Sequence, residues 1–250
     1  MSVFRKPSQL FEFLPWDSEL FRLRVAIIPK NIRLTAERLP DLKRSLRAHE
    51  IDLLYYFRDT NSPQEVTSFA AFGFRFIDTR IILGRTLQRV KVPQEVPMFE
   101  LRRQNELTIH LKPLFAMSKD LAKTSRFWSD PLVQRSHIIR MYRSWVEKSL
   151  SFERSDHFFW VGSAADPLAF ASFTKTKPHE ATLSLIATRR DARRKGYGSA
   201  LLKQSLYMLH KRGIRSVHLD MQLSNARALA FYQALGFRIR GSQYIFHWHR

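Results

Sequence analysis

Two stretches of the chain combine residue types that can do chemistry. In the first, Leu183-Ser184-Leu185-Ile186-Ala187 leads into Arg193-Arg194-Lys195-Gly196-Tyr197-Gly198 and then a helical run. Strand, glycine turn and helix in that order make a phosphate-binding layout. The glycines remove Cβ atoms so that consecutive N–H groups close around an anion, and the helix starting there adds about half a positive charge at its N-terminus. Five of the seven residues from Arg189 to Lys195 are basic, which adds attraction. Taken alone, these pieces read equally well as an ordinary turn and a solvated basic face. In the second stretch, Asn225-x-x-Ala228-x-x-Phe231-Tyr232-x-x-Leu235-Gly236-Phe237 starts with an Asn after a strand, runs on as a helix and ends in Gly-Phe. By itself Asn225 reads as a helix N-cap and Tyr232 as a half-buried helix tyrosine that packs.

The elements that must position these residues are legible from patterning. The chain has 250 residues, 44% of them apolar, which suffices for a core and excludes disorder as the main state. It has no cysteine, so disulfide frameworks, thiolate metal sites and cysteine nucleophiles are excluded together, and a reducing compartment fits. No opening apolar run resembles a signal peptide and no stretch approaches ~20 apolar residues, so a soluble cytoplasmic protein without a membrane span is expected. The 42 Lys and Arg outnumber the 22 Asp and Glu, giving a net charge of +20. That charge attracts polyanions, which leaves nucleic acid, an anionic membrane or a multiply phosphorylated small substrate as partners, or only the habit of a basic proteome.

An aromatic-rich opening (Phe11, Phe13, Trp16, Phe21) runs into a buried strand, Arg24–Ile28, closed by Pro29. A helix with apolar Leu39, Leu42 and Leu46 follows, then a strand over Ile51–Phe57, a turn at Asn61-Ser62-Pro63, a short helix ended by Gly73, and a strand over Phe74–Leu83. Shifting the chain by 163 positions sets Ile51 on Ile214, Gly73-Phe74-Arg75 on Gly236-Phe237-Arg238 and Ile82 on Ile245, a repeated strand–helix–Gly-Phe–strand pattern. Gln88–Pro97, with two prolines, is the expected linker between a domain of residues 1–90 and one of residues 97–250. The second domain is read as a short strand Phe99–Arg102 and a helix Glu106–Ala122 interrupted by Pro113. After it come a loop at Ser125–Trp128 and a helix from Pro131 to Ser149 capped by Asp130. Strands Phe158–Gly162, Leu168–Phe173 and Ala181–Thr188, a helix Gly198–Lys211, a strand Ser216–Met221, a helix Ala226–Leu235 and a strand Ile239–Trp248 complete it.

With Arg193-x-x-Gly196-x-Gly198 upstream of the Asn225–Phe237 stretch, each bracketed by strand and helix, the chain resembles the GNAT acetyltransferase superfamily. The resemblance implies an α/β fold (α+β, mixed sheet), splayed between the fourth and fifth strands of the second domain, with acetyl-CoA in the split as co-substrate and no metal. Carried over, Arg193, the amides of Arg194, Lys195, Gly196, Tyr197 and Gly198, and the next residue Ser199 bind the pyrophosphate. Main-chain groups at Ile186 and Thr188, with Ala187 between them, pair with the pantetheine, and Asn225 hydrogen-bonds the same arm. Tyr232 protonates the leaving thiolate after a neutral amine attacks the thioester carbonyl. Glu180 is the carboxylate closest to the expected cleft and His218 reads as a structural histidine, so deprotonation of the amine through water is favoured.

The opening Leu14-Pro15-Trp16-Asp17-Ser18-Glu19-Leu20-Phe21, the loop Ser125-Arg126-Phe127 with Asp130-Pro131, and the segment Met141–Ser149 resemble more narrowly the dTDP-fucosamine N-acetyltransferases. Those enzymes acetylate the 4-amino group of a nucleotide-linked sugar and carry a partial acetyltransferase-like N-terminal unit. Here Asn225 falls on Ser62 and Tyr232 on Phe69, so the first copy lacks the chemistry. The family's Phe-Phe-Gly after the Trp-Asp step is replaced by Leu20-Phe21-Arg22. The resemblance implies a nucleotide-sugar acceptor, with Arg126 holding a diphosphate and Phe127 or Trp128 stacking on a base or sugar. Two other readings stand beside it: a tandem acetyltransferase with a protein- or tRNA-linked acceptor, and a non-catalytic CoA- or polyanion-binding module, which the retention of Asn225 and Tyr232 disfavours. A homodimer is compatible with all of them.

Overall fold

The computed structural model describes residues 10–60, 64–88, 97–101 and 109–250; the expected turn at Asn61–Pro63, most of the linker and the start of the helix at Glu106 lie outside these. The first half contains β1 (Glu12–Phe13), α1 (Pro15–Phe21), β2 (Val25–Ile27), α2 (Leu39–Ala48), β3 (Leu53–Asp59), α3 (Gln64–Ala71) and β4 (Phe74–Thr86). Helix α2 forms where the Leu39, Leu42 and Leu46 stripe is buried, and Pro40 sits harmlessly in its first turn. Gly73, at φ 88°, ends α3 in the left-handed conformation that glycine adopts without strain.

The second half holds β5 (Met98–Leu101), α4 (Leu111–Ala122), α5 (Arg126–Ser129), α6 (Arg135–Leu150), β6 (His157–Gly162), β7 (Pro167–Lys177), β8 (Glu180–Thr188), α7 (Tyr197–Lys211), β9 (Ser216–Gln222), α8 (Ala226–Ala234) and β10 (Arg238–His249). Three expectations change here. Pro113 lies in the first turn of α4, where its missing N–H costs no internal bond, so it starts the helix rather than breaking it. Ser125–Trp128 is not a loop: Ser125 caps α5, its Oγ accepting from the Trp128 N–H at 3.2 Å. The long helix begins at Arg135 with Gln134 before it, and Asp130 is withdrawn into the core instead of capping it.

The ten strands among the described residues form one mixed sheet in the order β1-β2-β3-β10-β4-β9-β8-β7-β6-β5. The last strand, β10, is antiparallel to both β3 and β4, and β4 in turn pairs with β9. The segments β3–α3–β4 and β9–α8–β10 follow the offset read from the sequence, and each gives its second strand to the other's sheet neighbourhood. Four apolar clusters cover the faces. One, around Phe159, Leu202, Leu206 and Phe237, lies under α7 and α8. A second, around Leu114, Val146, Trp160 and Phe170, lies under α4 and α6. The first half has one on each face, with Phe127, Ile138 and Met141 from α5 and α6 packed on β2 and β3. No helix among the described residues is long and apolar enough to cross a membrane.

Candidate active site

Strands β8 and β9 are parallel neighbours only from Glu180 to Thr182 opposite Ser216 to His218. Beyond those pairs they part, and β8 and β9 are the fourth and fifth strands of the second half, as expected. The splay coincides with a bulge. Ser172 of β7 faces Leu185 and Phe173 faces Leu183, so Ser184 has no opposite number and the strand bends there. A cavity of about 260 Å³ opens in the gap, bounded by Leu183–Ile186 of β8, Leu219–Gln222 of β9, and Asn225, Ala228 and Tyr232 at and along α8. Tyr142 and Trp145 of α6 close its other side. Trp145 Nε1 is buried and has no hydrogen-bond partner among the described residues.

Further along β8, Thr188 borders a second hollow of about 360 Å³ with Arg193, Arg194, Gly196–Ser199 and Phe231. Arg194 (φ 64°) and Gly196 (φ 85°) are both left-handed, an alternation that turns successive N–H groups toward one concavity. Gly196 precedes α7 with no side chain capping the helix, which leaves its first-turn amides available to an anion. A Cβ on Gly196 would meet open space, whereas one on Gly198 would lie 2.8 Å from Thr188 Oγ1. Gly198 therefore lets α7 start directly against the end of β8.

The basic run is more structural than its sequence suggests. Arg189 pairs with Asp166 and Asp191. Asp120 of α4 takes both Arg190 (2.6 and 2.7 Å) and Arg193 (2.8 Å), and the hydrogen bonds from Arg190 above all hold its carboxyl below the ordinary range. These pairs brace the turn against α4 and β7. Only Arg194 and Lys195 of the run have no carboxylate partner among the described residues.

Tyr232 is 8% exposed and packs edge-on against Phe231 and Phe237. Burial pushes its phenol well above the ordinary range, so it is protonated throughout the neutral region. Asn225 caps α8, its Oδ1 accepting from the Ala228 N–H at 3.2 Å, while lining the cavity. Glu180 pairs with Lys177 at 3.2 Å in the closed part of the sheet, and His218 sits there opposite Thr182, away from the opening. Asp220 stands two positions further on, where β9 has parted from β8. It lines the cavity with Tyr232 and is paired with Arg80 of β4. Sequence reasoning missed it, although the alternation His218, Asp220, Gln222 along β9 marks a polar face turned toward the split.

Arg126, Phe127 and Trp128 do not reach this cavity. The half-buried Arg126 lays its guanidinium over the rings of Phe127 (3.9 Å) and Tyr55 (4.1 Å), and its Nη1 donates to His247 Nε2 at 2.7 Å. Phe127 is a core residue, and Trp128 lies half-buried beneath Arg135. Behind Arg126, Asp130 Oδ2 accepts from His247 Nδ1 (2.6 Å) and His249 Nε2 (2.7 Å). These three have metal-ligand chemistry and lie close together. Arg126 can only donate, so His247 must accept at Nε2 and carry its proton on Nδ1, the nitrogen a metal would need. The set is a hydrogen-bonded brace between α5 and β10. Burial pushes His247 down to about 4, and although burial alone would raise Asp130, the bonds from the two histidines hold its carboxyl far below the ordinary range.

Residues 119–237 match the model of the acetyltransferase (GNAT) family. Over 106 residues the chain is 36% identical to the [ribosomal protein bS18]-alanine N-acetyltransferase of Escherichia coli K12, covering 42% of this chain and 68% of that one. Among solved structures, a functionally unknown conserved protein from Staphylococcus epidermidis is similar in fold at TM-score 0.67 and 12% identity, covering 99% of this chain and 93% of that one. A GCN5-related N-acetyltransferase from Sphaerobacter thermophilus superposes at TM-score 0.62 and 12% identity, covering 96% and 76%. The bulged and parted strands, the left-handed amide turn and this relationship lead to one conclusion: the chain belongs to the GNAT family and is an acetyl-CoA-dependent N-acetyltransferase.

Proposed function

We propose that the cleft between β8 and β9 moves an acetyl group from acetyl-CoA to the primary amine of a small anionic acceptor, a nucleotide-linked amino sugar. The observation that carries the chemistry is that Asp220, Asn225 and Tyr232, from two elements, line one cavity beside the amide turn. The amides from Arg194 to Ser199 take the pyrophosphate, with Arg194 and Lys195 supplying free positive charge. The pantetheine runs along β8 past Thr188 and Ile186, whose edge beyond Thr182 has no partner strand, and Asn225 holds it from the other side. The neutral amine nitrogen attacks the thioester carbonyl carbon, and main-chain N–H groups at the Ser184 bulge polarise its oxygen. As the tetrahedral centre collapses the C–S bond breaks, the sulfur takes the Tyr232 proton, and the proton lost by the amine passes to Asp220, directly or through one water. The atoms balance as amide plus CoA thiol.

We assign this work to residues 97–250 and a silent, positioning role to residues 1–90, which lack counterparts of Asn225, Tyr232 and the glycine turn. The acceptor class rests on the charge of +20 and on the Trp16-Asp17-Ser18 opening, which forms α1 beside α6. The cytoplasm, where acetyl-CoA is available, is the place for this reaction. A second reading, an acceptor that is the amino terminus of a protein, is favoured by the Escherichia coli relative. The test is acetyl-CoA turnover by the full chain, read as free thiol, on nucleotide amino sugars, peptides with free amino termini and polyamines. Turnover of a nucleotide amino sugar above all others is expected; preference for a peptide would replace the first reading with the second.

A further inference from the structure

Resting on the anionic-acceptor reading, the engagement of Arg126 with His247 and the rings of Tyr55 and Phe127 poses a question: which cations meet the acceptor's charges? We infer that they are met in the open groove between α1 and α6, and that this groove binds the diphosphate of a nucleoside diphosphate carried by the acceptor. The groove has a volume of about 850 Å³, within the usual range for small-ligand sites. Arg22, Arg140, Arg143 and Lys148 line it against Glu19 and Glu147, and Arg143 is spent on Glu147 at 3.2 Å. Arg22, Arg140 and Lys148 have no carboxylate partner among the described residues. Arg140 does donate to the Leu20 carbonyl, which fixes its guanidinium at the groove's edge. The lining therefore carries two positive charges in excess, matching those of a diphosphate.

The groove also adjoins the reaction. On α6, residues four apart share a face, so Arg140, Ser144 and Lys148 look into the groove while Tyr142 and Trp145 look into the cleft. Trp16, a groove residue, stacks on Trp145, a cleft residue, with ring centroids 6.4 Å apart. This indole pair joins the wall of the groove to the wall of the cavity that Tyr232 lines. A sugar with its amine at the thioester and its diphosphate a few bonds away spans such a partition, with the buried Trp145 Nε1 as the donor it passes.

The test is calorimetry on the full chain saturated with free CoA, so that the amide turn is filled, with dTDP as the probe. The wild type is expected to bind dTDP, and Arg22→Glu and Lys148→Glu each to weaken it by about tenfold through charge reversal while leaving CoA affinity unchanged. Among the described residues neither side chain makes a hydrogen bond to another element, and Lys148 meets α1 by lying over the Trp16 ring at 5.6 Å, so unchanged CoA affinity and an unchanged melting temperature show that each variant keeps the fold. No dTDP binding by the wild type, or equal binding by both variants, overturns the inference, as does an acidic peptide that displaces dTDP at lower concentration. Nucleotide-sugar turnover with KM unchanged in both variants would sink the groove and spare the acceptor reading. Binding of dTDP with turnover of peptides alone would do the reverse.

Discussion

Arg80 and Gln243 face each other where β4 meets β10, and they are 163 residues apart, the offset of the internal repeat. Their outer partners obey the same relation: Gln243 faces Asp59 of β3, and Arg80 faces Gln222 of β9. The pair thus marks a local two-fold axis about which the two strand–helix–strand units have traded their second strands. The trade is also why Arg80, from the first half, reaches Asp220 in the cleft.

This exchange governs what happens if the halves are separated. Residues 97–250 alone would leave both edges of β10 without a neighbour and expose one edge of β9, three bare edges, with Ile, Phe and Trp along β10 and Val, Leu and Met along β9. Expression of that fragment should give aggregated or inactive protein, and co-expression with residues 1–96 should recover soluble material. A soluble, monomeric, active 97–250 fragment would refute the positioning role of the first half.

In the proposed mechanism, replacing Tyr232 with Phe removes the proton for the departing thiolate and little packing. Turnover should fall by roughly 10²- to 10⁴-fold with KM for both substrates nearly unchanged, as steady-state kinetics would read. Turnover equal to wild type takes Tyr232 out of the mechanism.

Asp220→Asn keeps the shape and loses the proton acceptor, so kcat/KM for the amine should drop by about 10²-fold at neutral pH. Turnover should recover in part as pH rises and more of the amine becomes neutral without help. A pH–rate profile that keeps its wild-type shape and height would return the role to water alone.

At Gly196 a Val would have to adopt φ 85° and place its side chain in the open space of the amide turn. Strain of about 1–3 kcal/mol plus lost anion room should weaken CoA binding at least tenfold by calorimetry. Gly198→Val acts differently: its Cβ would collide with Thr188 Oγ1, so thermal stability should fall as well.

Acid sensitivity should come from the brace behind α5. The folded His247 titrates near 4, below its unfolded value of about 6.5, so the unfolded chain binds the extra proton first. Stability should be lost as pH falls from about 6.5 toward 4, by about 3 kcal/mol from this group. Below that window the depressed Asp130 carboxyl continues the trend, since its stabilisation disappears as it protonates. Denaturant midpoints measured across this range should flatten in His247→Asn; an unchanged slope would assign the acid sensitivity elsewhere.

Local pattern carried most of the elements. The Leu39, Leu42, Leu46 stripe and the Asn225-to-Gly236 frame mark helices whose caps and buried faces are written within ten or so residues. What failed was decided at long range. Arg126 reads as a loop residue free to hold a diphosphate, because its partner His247 is 121 positions away. Asp130 looks like a cap for the same reason: both histidines that draw it inward lie on β10. The exchange of β4 and β10 was invisible, since two strands of the same pattern satisfy either pairing and only the assembled sheet chooses. Asp220 was within reach of the two-residue period of β9 but was passed over, because Glu180 was read as the carboxylate closest to the cleft and water was favoured as the route for the proton.

The place of β10 also sets an order of events during synthesis. It follows every other described strand in the chain, yet its seat lies between β3 and β4, which are complete before residue 90. Those two strands cannot pair with each other in the finished sheet and must wait with facing edges open while more than a hundred further residues are made. A fold with such distant pairings closes slowly and exposes sticky intermediates. The newly made enzyme should accordingly lean on chaperones until its last strand slides in, and mutations that loosen β10 should act first on yield, before they touch the rate of acetyl transfer.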